Sequence, residues 1–414
     1  MKIYWPWLFL YVFSNILAAL IIWNTGELIG DLSGISLYSR TALLWATTLV
    51  VLSYIAIMWP VFKFISKLKI KKINFCFDDD QVGKRIGKLL LVLQISFMIF
   101  NISTGVNIAG SSNRTEGSLF SMLWVFIPTD ALFFIYYGMH RENKYFYPNL
   151  IIWLLSNILR GWVSVLLFVI FFEWCRAIRN KKITTVITAF IGVAIIIVYP
   201  VVTNIKWIFR ASANSNLSLT AMAADFFDVL RDASYITLIG DGISHLIGRF
   251  QVTSVVIEVM RLSDFLQTKL ASGQFTTFWL EGFHGIVLSK LFPSEKYMSA
   301  GVAFTKYGDF GSKFEVGDWT TNIGYVGWFF IAPYLIPIYL AYTLLLGFIS
   351  FYLVKKIGIS ESAKDMLWLA WLVYLMPPWF AAFTGFIYTL FLFLCIKFIL
   401  TRLPSFRLLP RVVY

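Results

Sequence analysis

The sequence predicts an all-α polytopic membrane protein with about ten transmembrane helices and one large, mostly helical external loop. Hydrophobic residues make up 59% of the chain, charged residues only 14%, and the mean hydropathy is +0.75. A soluble domain carries about 25% charged residues, so this composition is typical of an integral membrane protein. The longest polar stretch lies between Thr203 and Asn322 and interrupts the apolar runs.

A helix that crosses a bilayer needs roughly 20 mostly apolar residues, with about 17 as a lower limit. Applied to this chain, the rule gives ten candidate spans, at 4–23, 41–62, 88–108, 118–139, 145–160, 162–178, 183–203, 322–353, 365–383 and 385–401. They divide the chain into an N-terminal membrane domain (1–203), the large loop (204–321) and a C-terminal membrane domain (322–414).

The fifth and sixth spans have an alternative, a single helix over 149–174. That helix would place Arg160 and Gly161 near its middle, and would put the basic residues of 176–182 opposite the other basic loops. A tight hairpin that turns at Arg160-Gly161 removes both problems, because basic loops are retained on the cytoplasmic side. The hairpin is therefore the favoured interpretation.

The distribution of charge predicts that both termini are cytoplasmic. Under that orientation the cytoplasmic segments hold 22 of the 35 Lys and Arg residues, whereas the large loop has ten basic and eleven acidic residues. The net charge of +13 then reflects basic residues beside the anionic inner leaflet, and no nucleic-acid partner is implied. The large loop is nearly neutral, so it is not a basic patch.

Cysteine and histidine usage gives no sign of a metal or a cofactor. Cys76, Cys175 and Cys395 fall in or beside cytoplasmic or membrane segments, and the large loop has no cysteine. We therefore expect neither a disulfide framework nor a Cys/His metal site. The first span is too long for a signal-peptide core and is expected to be a retained helix.

Asp130 is the one acid that the sequence places well away from the end of a predicted span. A charged group inside a membrane is costly and is by default a functional candidate. Protonation, or a hydrogen bond from a neighbouring span, explains it equally well. A proton-coupled transporter would usually have several such groups.

The large loop has many aromatic residues, which a disordered segment would lack. Apolar spacing predicts amphipathic helices over 217–232 and 243–271. Such helices could lie on the outer surface of the bilayer or pack against the spans below.

Arginine is the side chain best suited to bind phosphate, because its planar fork of donors carries a permanent charge. The arginines in or beside the large loop are Arg160, Arg210, Arg231, Arg249 and Arg261. Arg249 has no acidic residue three or four positions away, and His245 lies one turn earlier on the same predicted face. Arg261 has Glu258 at helical spacing, which makes an ion pair an equal alternative; Arg210 could equally be an interfacial anchor.

Two of the three histidines, His245 and His284, lie in the large loop. A lone histidine is more often packed or solvated than catalytic. Glu281 precedes His284 by three residues, a spacing that suits a carboxylate–imidazole pair on one helical face. Such a pair could act as a general base with a pKa near neutral.

Three short segments resemble a known family. They are the Pro/Lys-containing run from Leu288 to Lys296, the run from Val316 to Gly327 with its Asn-x-Gly-x-x-Gly element, and Leu159-Arg160-Gly161. Together with about ten spans and one large loop, they resemble the bacterial O-antigen and oligosaccharide repeat-unit polymerases of the Wzy type. Close helix packing at Gly324 and Gly327, and a helix cap at Asn322, are structural explanations of the same residues.

The resemblance implies a GT-C-like glycosyltransferase of the bacterial inner membrane, with the large loop in the periplasm. It would move a growing glycan from undecaprenyl diphosphate onto the terminal sugar of a lipid-linked repeat unit, without a metal, cofactor, nucleotide sugar or ATP. Its partners would be lipid-linked oligosaccharides, membrane lipids and a chain-length regulator protein. The residues expected to bind the diphosphate are Arg249, Arg210, Arg160 and Arg261. The candidate bases are His245, His284 and Glu281.

Three rival functions stay open at this point. An O-antigen ligase has a similar architecture and donor but a different acceptor. A flippase for the lipid-linked repeat unit would have more charge inside its spans and shorter loops. A membrane O-acyltransferase would need a histidine in or near a span, and only His140 comes close.

Overall fold

The computed structural model describes residues 2–69, 79–108, 119–181, 192–194, 197–201, 203, 235–292, 298–308, 310, 321–358 and 360–402. Within these ranges the regular structure is helical, and the only β-type pairing is one isolated bridge between Glu27 and Ser36. The helices of the N-terminal half are α1 (Trp5–Thr25), α2 (Arg40–Ala56), α3 (Phe62–Lys67), α4 (Asp79–Thr104), α5 (Leu119–Phe126), α6 (Thr129–His140), α7 (Phe146–Leu159) and α8 (Ser164–Arg179). Those of the C-terminal half are α9 (Tyr235–Phe250), α10 (Thr253–Arg261), α11 (Ser263–Ala271), α12 (Phe283–Leu291), α13 (Ala300–Tyr307), α14 (Gly327–Ile331), α15 (Ile336–Ile357), α16 (Glu361–Ala370) and α17 (Phe380–Arg402).

Six helices in the described part of the chain are long and apolar enough to cross a membrane. They cover Lys2–Thr25, Arg40–Lys67, Asp80–Thr104, Phe120–His140, Pro333–Ile357 and Phe380–Arg402. The chain is therefore an all-α membrane protein, as its composition predicts. The count of ten spans stays a prediction, since α7 and α8 are shorter and most of 183–203 lies outside the described residues.

The hairpin predicted at Arg160-Gly161 is present. Helix α7 ends at Leu159 and α8 begins at Ser164. Gly161 has φ +74°, a left-handed conformation that glycine adopts without steric cost. The break is closed by backbone bonds from Gly161 N to Ile158 O (2.8 Å) and from Trp162 N to Asn157 O (2.9 Å).

Two predicted spans have different bounds. The fourth is interrupted between α5 and α6 at Pro128, so Asp130 is the second residue of α6, although it stays at the middle of the Phe120–His140 span. The eighth begins at Pro333, and Asn322 is exposed in the segment before α14, whose N-cap is Val326. Asn322 therefore does not cap that span.

Polar contacts identify one face of the helical bundle, which we call the inner face. The Tyr4 hydroxyl donates to Asp365 (2.7 Å), and Arg179 pairs with the same carboxylate, so the start of α1, the end of α8 and the start of α16 meet. Arg85 donates to Leu400 O (2.6 Å), which brings the start of α4 to the end of α17. The opposite ends of these helices form the outer face, where the loop after α1, the α7–α8 hairpin and helices α9–α11 lie.

The prediction of one continuous helix over 243–271 is wrong, because the segment is divided among α9, α10 and α11. The break between α9 and α10 is held by Asn15, whose Oδ1 accepts from Val252 N (2.9 Å), Thr253 N (3.2 Å) and Thr253 Oγ1 (2.9 Å). Backbone amides at membrane depth need such partners, because no water is available there.

Asn15 also shows how deeply the large loop enters the bundle. It is fully buried near the midpoint of the 21-residue α1, about 15 Å from either end at 1.5 Å per residue. For the described segment 243–271, packing against the spans is therefore the placement present, of the two that the sequence left open. Gly324 (φ +74°) allows a close approach here, since a Cβ at this position would meet Val256 Cγ2 at 2.8 Å.

Candidate functional site

A chain of polar contacts runs across the outer half of the bundle, and we call it the Arg249 network. Arg249 Nε lies 3.5 Å from His245 Nε2, and Arg249 Nη1 lies 3.6 Å from Asp31 Oδ1. His245 Nδ1 lies 2.6 Å from the Tyr199 hydroxyl. Thr321 Oγ1 donates to the second oxygen of Asp31 (3.2 Å). Segments that are far apart in the sequence thus converge on one arginine.

Helix α9 positions the two central side chains. His245 and Arg249 are one turn apart, so the predicted shared face is confirmed. Gly248 brings the loop after α1 against this helix, because its Cα packs on Gly30, and a Cβ there would lie 2.9 Å from the Gly30 Cα. Gly30 itself has φ +75°. Because these two glycines are in contact, Asp31, which follows Gly30, lies beside Arg249.

Arg249 has no acidic residue three or four positions away in the sequence, but Asp31 supplies an acidic neighbour from a remote loop. The contact is loose: 3.6 Å exceeds hydrogen-bond length, and the Arg249 side chain is 48% exposed. A guanidinium has five N–H donors, and toward the described residues Arg249 makes only these two long contacts. Several donors therefore remain directed toward solvent, where an anion could bind them.

His245 presents an acceptor to this arginine. A guanidinium can only donate, so the contact with Arg249 requires Nε2 of His245 to accept, and Nδ1 faces the Tyr199 hydroxyl. The half-buried imidazole extends from α9 toward Tyr199, near the end of the predicted seventh span. It can accept a proton from a hydroxyl group that binds beside Arg249.

Arg160 is held in a different environment. Its Nη2 lies 2.6 Å from Asp130 Oδ2, its Nε donates to Ser156 O (3.1 Å), and the side chain is almost fully buried. Asn157 Nδ2 donates to the other oxygen of Asp130 (3.0 Å). This pair joins α6 to the hairpin, which explains Asp130 as a structural partner of Arg160.

Arg261 is paired with Glu258, as its helical spacing allows. Arg261 Nη2 lies 2.5 Å from Glu258 Oε1, and the carboxylate is buried within α10. The arginine itself is 38% exposed. Neutralisation of a buried acid is thus one established role for this side chain.

The predicted pairing of Glu281 with His284 on a helical face is wrong. Helix α12 begins at Phe283, after Glu281, and His284 is exposed while Glu281 is buried. The Glu281 carboxylate accepts the amide of Ala300. Burial raises the pKa of Glu281 to about 8, while the Ala300 amide lowers it. The carboxyl is therefore mostly protonated near pH 7, which suits it poorly as a base.

The structure brings together His245 and Arg249 but not the other candidates. Among the described residues, no hydrogen bond or ion pair links this cluster to Arg160, Arg261 or Glu281. Arg210 lies outside the described residues, as does the predicted helix over 217–232. Among the positions that are described, no three His, Cys, Asp or Glu side chains lie close enough to share a metal ion.

Sequence reasoning missed Asp31, Tyr199 and Thr321, because each reaches the Arg249 network from a distant segment. Asn15 did carry a signal: it is a polar side chain in the middle of an apolar span, where polar groups are rare unless they have a partner.

The fold and the Arg249 network together define an all-α membrane protein with an arginine–histidine cluster between its spans and its inserted outer loop. Comparison with protein-family models, curated proteins and solved structures gives no match to this chain. The resemblance to the Wzy-type polymerases therefore depends on the short motifs and on the predicted arrangement of spans and loop.

Proposed function

We propose that the protein is an O-antigen polymerase of the bacterial inner membrane. It transfers a growing glycan from undecaprenyl diphosphate to the terminal sugar of a lipid-linked repeat unit, at the periplasmic side of the bilayer. Both termini are cytoplasmic in this proposal, the outer face is periplasmic, and no metal or cofactor takes part.

The observation that carries the proposal is the loosely held Arg249 beside His245. A reaction at a lipid diphosphate needs a cation for the departing phosphates and an acceptor for the proton of the attacking hydroxyl. These two groups are adjacent on α9, and the break after α9 lies level with the middle of α1. A substrate anchored in the bilayer can reach that depth without leaving the membrane.

In the proposed reaction the acceptor hydroxyl attacks C1 of the donor sugar. The bond between C1 and the diphosphate oxygen breaks, and its electron pair leaves with undecaprenyl diphosphate. As the Arg249 guanidinium turns from Nε2 of His245 to the departing diphosphate, the proton of the hydroxyl passes to Nε2 of His245. Arg249 stabilises the negative charge of the departing diphosphate, and Asp31 with Thr321 orients the guanidinium.

The other candidate residues have weaker support. Arg160 and Arg261 already neutralise acids, so either would have to exchange an ion pair for the diphosphate. His284 is exposed and apart from the Arg249 network, and burial favours the protonated form of Glu281. Lipid-linked oligosaccharides and a chain-length regulator protein remain the proposed partners.

The test is a gel of lipopolysaccharide from a strain that lacks the gene, complemented with variants. Wild type should restore the ladder of long chains. Arg249→Ala and His245→Ala should each reduce polymer by about 100-fold, the effect of removing one group that stabilises transition-state charge or transfers the proton. Arg249→Lys should recover only part of the ladder, because a lysine lacks the planar fork.

Arg40→Ala is the matched control, since Arg40 is an exposed outer arginine that stacks on Trp23 (5.0 Å) away from the Arg249 network. It should leave the ladder intact. A full ladder in the Arg249→Ala strain would contradict the site, and full polymer in the deletion strain would contradict the polymerase. Long glycan left unattached on its lipid would instead indicate a ligase, whereas a single repeat on lipopolysaccharide is the result expected of a lost polymerase.

A further inference from the structure

A small cavity lies between α4 and α7 at the outer face, apart from the Arg249 network. Its walls are Met98, Asn101, Ile102, Ile108, Ser156, Leu159 and Arg160. The space inside is close to that of one water molecule, so it accepts a single oxygen atom rather than a whole ligand.

Two polar side chains in this wall are buried and lack hydrogen-bond partners among the described residues. They are Asn101, through Nδ2, and Ser156, through Oγ. The Asn101 Oδ1 already accepts from Asn107 Nδ2 (2.8 Å), so the atom left over is a donor. Buried donors are nearly always hydrogen-bonded. An oxygen atom that enters the cavity from outside the chain can accept from Asn101 Nδ2 and bind Ser156 Oγ.

The cavity opens onto a lipid-facing surface. Ile102 in its wall is 58% exposed, and Ile99, one turn further inward on α4, is 59% exposed. On α7, Leu155 lies one turn inward from Leu159 and is 46% exposed. Because α4 and α7 both run from the inner to the outer face, exposed apolar side chains continue from the cavity toward the middle of the bilayer.

The head-group level is marked by the hairpin tip. Trp162 is exposed there, and the Arg160 guanidinium carbon lies 5.9 Å from its ring centroid. Tryptophan concentrates where a membrane protein passes from hydrocarbon to head groups. The donors of the cavity thus lie at the depth of a lipid phosphate, beside the Arg160–Asp130 ion pair.

We propose that this cavity binds the phosphate of an outer-leaflet phospholipid. One phosphate oxygen enters between Asn101 Nδ2 and Ser156 Oγ, next to Arg160, and the acyl chain lies along Ile99 and Leu155. The site is separate from the proposed glycosyl transfer and does not depend on it.

Native mass spectrometry of the full-length protein tests the proposal through the retention of phosphatidylglycerol. Ser156→Ala and Asn101→Leu should each weaken retention by about tenfold, the size expected for one lost hydrogen bond to a charged group. Dioleoylglycerol, which has the chains without the phosphate, should be retained at least as poorly. Inorganic phosphate should not displace the phospholipid at equal concentration.

Ser103→Ala is the matched control, since Ser103 is an exposed serine of α4 whose hydroxyl donates to Phe100 O. It should retain the phospholipid fully. Equal retention in Ser156→Ala and wild type, or equal retention of dioleoylglycerol, would overturn the proposal. Displacement by inorganic phosphate would instead indicate a site for the free anion. If Asn101→Leu does not fold, Ser156→Ala decides alone, because it removes one oxygen atom.

Discussion

Among the described residues of the outer face, the pairs Arg160–Asp130 and Arg249–Asp31 combine the same groups in different surroundings. Arg160 is 6% exposed and lies 2.6 Å from its partner, whereas Arg249 is 48% exposed and lies 3.6 Å from its partner. The first pair joins neighbouring helices. The second joins segments from opposite halves of the chain.

The difference separates structural from functional use of the same chemistry. Removing a buried charge from water is costly, so Arg160 requires its carboxylate and has little freedom to bind a ligand. An exposed pair contributes little to stability, and Arg249 can exchange Asp31 for another anion at small cost. The chemistry proposed for this protein accordingly belongs at Arg249.

The largest change in the free energy of unfolding is expected for the loss of Asp130, the partner of the buried arginine. Asp130→Ala should lower the free energy of unfolding by about 3 kcal/mol, because Arg160 is then buried without a counter-charge. Asp31→Ala should lower it by less than about 1 kcal/mol. Chemical denaturation of the purified protein in detergent micelles, followed by circular dichroism, measures both.

The double variant Arg160→Met/Asp130→Ala tests whether the unpaired charge of Arg160 causes this loss of stability, because it leaves no buried cation. It should recover part of the stability lost in Asp130→Ala. Equal losses in the two aspartate variants would show that burial does not distinguish these pairs.

Local patterns in the sequence were sufficient to predict part of the fold and part of the candidate site. The length of the apolar runs indicated the membrane helices, Gly161 indicated the hairpin, and helical spacing placed His245 on the face of Arg249. Each of these features depends on residues within a few positions of one another.

The remaining features depend on tertiary contacts that spacing cannot indicate. Asp31 reaches Arg249 only because Gly30 packs on Gly248, and the break after α9 is stabilised by Asn15 of the first span. The apolar periodicity of 243–271 continues through that break and therefore predicts one helix. Pro128 was a visible signal that the fourth span is interrupted, and with it Asp130 moves to a helix start.

An intermediate effect, taken over one pH unit, is expected at Glu281, which is buried like Arg160. Its pKa is about 8 in the folded protein, against 4.5 ordinarily, so the folded state keeps a proton that the unfolded state releases between these values. Stability should therefore fall as the pH rises from about 4.5 to 8, by at most about 1.4 kcal/mol per pH unit. Denaturation midpoints across this range measure the slope.

Glu281→Gln keeps the shape of the side chain and removes its titration. In this variant the free energy of unfolding should depend less steeply on pH between these values. In Asp31→Asn, which changes a partly exposed acid, the pH dependence should stay as in the wild type. An unchanged slope in Glu281→Gln would assign the pH dependence to other groups.

The smallest change in the free energy of unfolding is expected for His284. Its side chain is exposed, like that of Arg249, but it is not part of the Arg249 network. His284→Ala should change the free energy of unfolding by less than about 0.5 kcal/mol, as is usual for an exposed side chain. Because no hydrogen bond or ion pair joins His284 to Glu281 within the described residues, His284→Ala and Glu281→Gln should be additive within about 0.5 kcal/mol. A double-mutant cycle measured by denaturation at pH 7 tests this. A coupling above about 1 kcal/mol would restore the pairing expected from their spacing, and would make Glu281 a partner of an exposed imidazole rather than a buried acid of the fold.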